Sequence, residues 1–97
     1  MRTMVTVTIG AAAGNRAVKD GTLPKVMKEF ISNYKPEATY FTTTGGDRTA
    51  YFVIDLKDPS QMPPIAEPFF MAFDAHVGFR PVMNADDLGI GLKKAGG

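Results

Sequence analysis

Two adjacent glycines, Gly45-Gly46, separate two β-rich runs, residues 37–44 and 48–56. Glycine reaches positive φ without steric cost, and a pair of such residues suits the two-residue loop that joins twisted antiparallel strands. With these glycines as the loop, Tyr40 stands opposite Tyr51 and Thr42 opposite Thr49. Moving the loop to Gly46-Asp47 changes the partners and keeps the faces. In both registers Phe41, Phe52 and Ile54 share one side, and Tyr40, Tyr51 and Asp55 share the other. The chain must therefore build an antiparallel sheet and find something apolar to cover the phenylalanine face.

The flanking segments supply it. Residues 2–9 alternate as a strand, with Val5, Val7 and Ile9 on one face and Met4, Thr6 and Thr8 on the other. Residues 11–34 are helical in character but interrupted at Gly21-Thr22-Leu23-Pro24. Thr22 is the expected N-cap of the second piece, with Pro24 in its first turn. Leu23, Val26, Met27, Phe30, Ile31 and Tyr34 then recur at helical spacing until Pro36 ends the run. Asp58-Pro59-Ser60 reads as a turn into a further helix carrying Ile65, Phe69 and Phe73, which Pro68 is expected to kink or shorten. Residues 76–83 form a fourth strand with Val77 and Phe79 on one face. Pro81 withholds a ladder donor and suggests an edge position. Asn84 followed by Asp87 reads as a helix start leading through Leu88 and Leu92, with Gly89 and Gly91 weakening that helix. Ala95-Gly96-Gly97 is expected to fray.

The resulting order, β-α-β-β-α-β and a short C-terminal helix, is that of an α+β, ferredoxin-like domain. It implies a four-stranded antiparallel sheet with the first and third strands central and helices on one face. The 97 residues, 44% hydrophobic and 22% charged, suit one such domain spanning 1–97. There is no cysteine, so disulfides, thiolate metal sites and cysteine nucleophiles are absent. Eleven basic against ten acidic residues give a net charge of +1, and the basic residues are scattered, which argues against nucleic acid. No apolar run reaches the roughly 20 residues that cross a bilayer, and the N-terminus lacks the continuous apolar stretch of a signal peptide. A cytoplasmic protein with no membrane association is expected.

The face away from the helices would carry Thr6, Thr8, Tyr40, Thr42, Tyr51, Val53, Asp55, His76 and Arg80. It is too aromatic for an indifferent wet surface and too polar for a sealed core. In its element order and this amphipathic second face the chain resembles the dimeric α+β barrel proteins, a branch of the ferredoxin-like group in which two sheets enclose a cavity. The stretches Asn15-Arg16-Ala17-Val18-Lys19-Asp20-Gly21-Thr22-Leu23-Pro24 and Ala66-Glu67-Pro68-Phe69-Phe70-Met71 are also similar to small bacterial proteins of unassigned function. The resemblance implies a homodimer with a pocket, and the leading expectation from the mixed face is that it binds a small, partly apolar organic molecule. It fixes no reaction, since the group spans cofactor-free monooxygenases, isomerases, haem-handling proteins and members without known activity. None of those catalytic motifs matches here residue by residue.

Candidate site residues follow from side-chain chemistry. His76 is the only histidine, hence the only side chain whose unperturbed pKa lies near neutrality. With Asp55 or Asp74 orienting its ring it would serve as a general base, without any cofactor or metal. The plain alternative is an exposed histidine at a strand start. Tyr40 and Tyr51 offer a ring and a hydroxyl to a ligand, or simply form a cross-strand aromatic pair. Arg80 and Arg48 suit a bidentate grip on a carboxylate, or pairing with a neighbouring acid. Arg16, just after the first strand, is a candidate for a pocket rim, whereas Asn15 reads as a helix cap. Asp86-Asp87 complements a helix N-terminus. A purely structural oligomer interface is the rival reading of the whole face. An RNA-recognition module ranks last, because the first strand offers Thr6 and Thr8 where aromatics would be needed.

Overall fold

Gly45 and Gly46 take φ of 58° and 86°, so both turn residues sit where side chains are disfavoured. The turn joins β2 (Ala38–Thr44) to β3 (Asp47–Asp55) in the register that places Tyr40 opposite Tyr51 and Thr42 opposite Thr49. The computed structural model describes residues 1–96, so of the three terminal residues expected to fray, Gly97 lies outside the described residues. β1 (Arg2–Ile9) pairs antiparallel with β3 on one side and with β4 (His76–Pro81) on the other, giving the order β2-β3-β1-β4. The proline that lacks a donor thus closes an edge strand.

Among the described residues the fold is α+β, with a four-stranded antiparallel sheet and four α-helices. The element order is not strictly β-α-β-β-α-β, because α1 (Ala11–Lys19) and α2 (Thr22–Tyr34) share the first crossover. α3 (Met62–Phe73) makes the second crossover, and α4 (Ala85–Lys94) follows β4. The break between α1 and α2 falls at Gly21, whose φ of 80° ends one helix and starts the next. Thr22 is the first helical residue and does not cap. Instead the Asp20 carboxylate accepts the Thr22 N–H at 2.9 Å, leaving the left-handed turn to glycine. α3 runs through Pro68 without the shortening that is one of the two outcomes expected from the sequence. Pro68 and Pro64, whose carbonyl is left without its usual donor, are both exposed residues, where water can replace a missing donor.

The core lies between the sheet and α1–α3. Val5, Val7, Ile9, Phe52 and Ile54 point up from the central strands. Ala17, Met27, Phe30, Ile65, Phe69 and Phe73 point down from the helices, all of them buried. Phe52 is the hub, with ring centroids 4.4 Å from Phe30 and 6.1 Å from Phe69, while Phe30 and Phe69 lie 5.2 Å apart. Ile31, counted in the α2 stripe, is instead at the surface. The two buried threonines are satisfied locally: Thr3 donates to the Met1 carbonyl and Thr49 to that of Asp47.

α4 stands apart from this core. Asn84 Oδ1 accepts the Asp87 N–H at 2.8 Å and the Asp87 carboxylate accepts the Asn84 N–H at 3.1 Å, a reciprocal cap. Arg2 then ties α4 to the sheet, donating to Asp87 at 2.8 Å and to Glu37 at 2.6 Å. No residue of α4 is buried, and Leu88 and Leu92 remain 47% and 54% exposed. The radius of gyration is 15.3 Å, against about 12.5 Å for a compact chain of this length.

Candidate functional site

Strand alternation turns three cross-strand rows of side chains away from α1–α3. The first runs Thr42, Thr49, Thr8, His76; the second Tyr40, Tyr51, Thr6, Gly78; the third Ala38, Val53, Met4, Arg80. Successive rows are about 7 Å apart, two residues along a strand. The tyrosines therefore occupy the middle of the face, with His76 and Arg80 on the flanking rows at the β4 side. Gly78 lies between those two, and nothing stands within 4 Å of where its Cβ would project, so the tyrosine row is open at that end. Tyr40 is 70% exposed and Tyr51 half-buried. Arg80 reaches back to Met4 Sδ at 3.7 Å.

The other nominated residues are not gathered here. Asp55 pairs with Arg2 at the far end of β1, six residues from Thr8, the partner of His76. At strand spacing that separates His76 and Asp55 by about 20 Å within one chain. The Asp55 carboxylate is engaged with Lys57 and with the N-terminal ammonium, the latter at 2.8 Å. Those two hydrogen bonds, Lys57 foremost, hold its carboxyl down to about 2. Asp74 lies 3.7 Å from the Arg16 guanidinium on α1, both side chains well exposed. Arg16 accordingly belongs to the helical side of the sheet, away from Tyr40, Tyr51 and Arg80.

That helical side holds a concavity the sequence reading did not nominate. Between α2 and the β2–β3 hairpin a cavity of about 270 Å³ opens, lined by Ile9, Leu23, Met27, Phe41, Arg48 and Ala50, with Thr42 and Thr49 at its border. Phe41 meets Phe52 edge-on yet is 60% exposed. Arg48 lies across α1: its guanidinium donates to Asn15 Oδ1 at 3.1 Å, and a Cβ on Gly14 would fall 2.5 Å from Nη1. Asn15 is thus an acceptor inside α1 and not its cap, which is Gly10. A buried glycine within a helix costs about 1 kcal/mol, and such a position signals close approach of another group. That signal was present at Gly14; what approaches it, 34 residues further along the chain, was not.

No protein-family model, curated protein or solved structure matches this chain. What the site can do therefore rests on its own geometry. Among the described residues, no group of three or more His, Asp or Glu side chains is placed to hold a metal ion. No described helix is long and apolar enough to cross a membrane.

Proposed function

We propose that this chain acts as a cytoplasmic homodimer of the ferredoxin-like, dimeric α+β barrel kind, in which two open sheet faces enclose a small, partly apolar organic molecule. The observation that carries this reading is the face itself. Met4, Tyr51 and Val53 sit on it beside the exposed Tyr40, while α1–α3 all pack on the opposite side. The placement of β1 and β3 at the centre of the sheet suits the ferredoxin-like reading, although the doubled first crossover and α4 depart from its simplest form. α4 adds independent support. A ten-residue helix with two glycines is marginal in water, and its leucines stay about half exposed, with no residue of the helix buried. A two-fold interface uses the same patch on both copies, so one contact covers both unpartnered surfaces twice.

In such a cavity Tyr40, Tyr51 and Arg80 orient the ligand and His76 exchanges a proton with it, in an isomerase- or monooxygenase-like reaction without a cofactor. Asp55 has no part in that step, given its distance and its ion pairs. A second reading has its own observation: Tyr40 and Tyr51 are direct cross-strand partners, and tyrosine is enriched at interfaces that hold no ligand. Native mass spectrometry of untreated protein separates the two. A dimer carrying a small-molecule adduct supports ligand binding. A bare dimer favours the interface alone, and a monomer at every concentration sinks both.

A further inference from the structure

We propose that the free edge of β2 pairs with the β2 edge of a second copy, antiparallel and about a two-fold axis at Phe41, so that two sheets become one. This contact is separate from the open face and does not depend on it.

The two edges of the sheet differ in what they offer. Just beyond β3 the Leu56 N–H donates to the Met1 carbonyl, and just beyond β4 the Val82 N–H donates to the Arg2 carbonyl. Hydrogen-bonded pairs alternate along an antiparallel ladder. Followed through the registers from those two bonds, Thr39, Phe41 and Thr43 turn their N–H and C=O groups out of β2, whereas Val77, Phe79 and Pro81 do so on β4. Pro81 has no N–H to present, and Arg80 stands beside it, so the β4 edge is blunted. β2 contains neither a proline nor a charged residue, and Tyr40 to Thr44 are all exposed. An unguarded edge of this kind is a template for another strand.

The sequence of β2 selects that strand. Its outward residues, Thr39, Phe41 and Thr43, read the same in both directions. Antiparallel pairing about Phe41 sets Phe41 against its own copy, Thr39 against Thr43, and Tyr40 against Thr42. Aromatic and threonine pairs of this sort stabilise adjacent strands. No like charges meet, because the strand carries none. Phe41 is 60% exposed and touches Phe52 only edge-on, so a second ring beside it supplies missing cover.

A two-fold axis perpendicular to the sheet places the helices of both copies on one side and both tyrosine rows on the other. The open face therefore stays free. The pairing makes about six main-chain hydrogen bonds. One strand's length covers well under the roughly 1,200 Å² of a standard interface, so the contact is weak, with a Kd on the order of 100 μM.

The test follows amide hydrogen exchange of the protein by NMR at about 20 μM and about 1 mM. The Phe41 and Thr43 amides should exchange roughly threefold or more slowly at the higher concentration, the change such a Kd gives. Tyr40 and Thr42, already bonded to β3, should stay constant. Thr43→Pro removes an outward donor without touching the β2–β3 ladder and should abolish the effect at Phe41. Should that variant fail to fold, Phe41→Lys, which sets two ammonium groups opposite one another, should do the same. Tyr51→Glu should leave the effect in place, which separates this contact from the open face. Exchange independent of concentration, an effect that survives Thr43→Pro or Phe41→Lys, or an effect lost in Tyr51→Glu would overturn the proposal. So would protection that appears only on adding a foreign extended peptide.

Discussion

The guanidinium of Arg48 rests on the bare Cα of Gly14, so close that a Cβ there would stand 2.5 Å from Nη1. The contacted atom is the far end of a flexible side chain, so Gly14→Ala should move the arginine and leave the helix in place. The exchange also gains helix propensity, about 1 kcal/mol, which offsets the lost Asn15 hydrogen bond. Global stability in urea should thus change by less than about 1 kcal/mol. The Arg48 Nε–Hε resonance should shift markedly, as in Asn15→Ala. A large destabilisation would mean that the guanidinium cannot leave its seat.

Phe52 should behave oppositely. It is fully buried at the junction of Phe30, Phe41 and Phe69. Phe52→Ala removes a ring from a site fixed on several sides, which costs about 3–5 kcal/mol. Against a total of about 5–15 kcal/mol that is enough to unfold much of the population at 37 °C. Urea melts of Phe52→Leu and Phe52→Ala, graded in that order, would check it. A loss below about 1 kcal/mol for the alanine variant would contradict this placement of the core.

Asp55 makes the acid limb of stability testable. Its pKa is depressed to about 2 in the folded protein, against about 3.9 unfolded. The stabilisation is therefore complete above the unfolded value and is lost as pH falls from about 4 towards 2. Asp20 and Asp58, lowered by their hydrogen bonds to Thr22 and Ser60, contribute in the same direction. Asp55→Asn should lower Tm slightly at pH 7 and leave it nearly unchanged near pH 2, a shallower fall with acid whose size stays small because the group is exposed and screened. An unchanged acid limb would show that the pairing with Lys57 and the N-terminus does not persist in solution.

α4 separates folding from assembly. Its leucines touch no core, so replacing Leu88 and Leu92 together by Asp should leave unfolding of the monomer within about 0.5 kcal/mol. Burying two leucines in an interface is worth enough that dimer affinity should drop at least tenfold. Sedimentation velocity over a dilution series reads this directly; a weakened monomer with unaltered association would place α4 on its own chain instead.

Much of this architecture was legible from local chemistry. The Gly45-Gly46 pair marked the turn and the faces of its two strands, because strand period carries the faces outward in either register; that both glycines take positive φ, and so which register forms, came from the structure. Ile65, Phe69 and Phe73 marked a buried helical stripe that Pro68 did not interrupt, since a missing donor is harmless where water can replace it. The site was less legible. The separation of His76 from Asp55 depends on how far each lies along β1, which neither local sequence contains. Asn15 and Arg48 meet only through tertiary packing of α1 on the hairpin, so their pairing left no periodic trace.

The central claim is that the tyrosine face joins two copies of the chain, and analytical ultracentrifugation of wild type beside Tyr51→Glu tests it most directly. Tyr51 is off the core side of β3, so the variant should fold with unchanged far-UV circular dichroism while placing a charge in the proposed interface. The account predicts a wild-type dimer and a folded, monomeric variant. A wild type that stays monomeric at all concentrations, or a variant that dimerises as tightly as wild type, would contradict it.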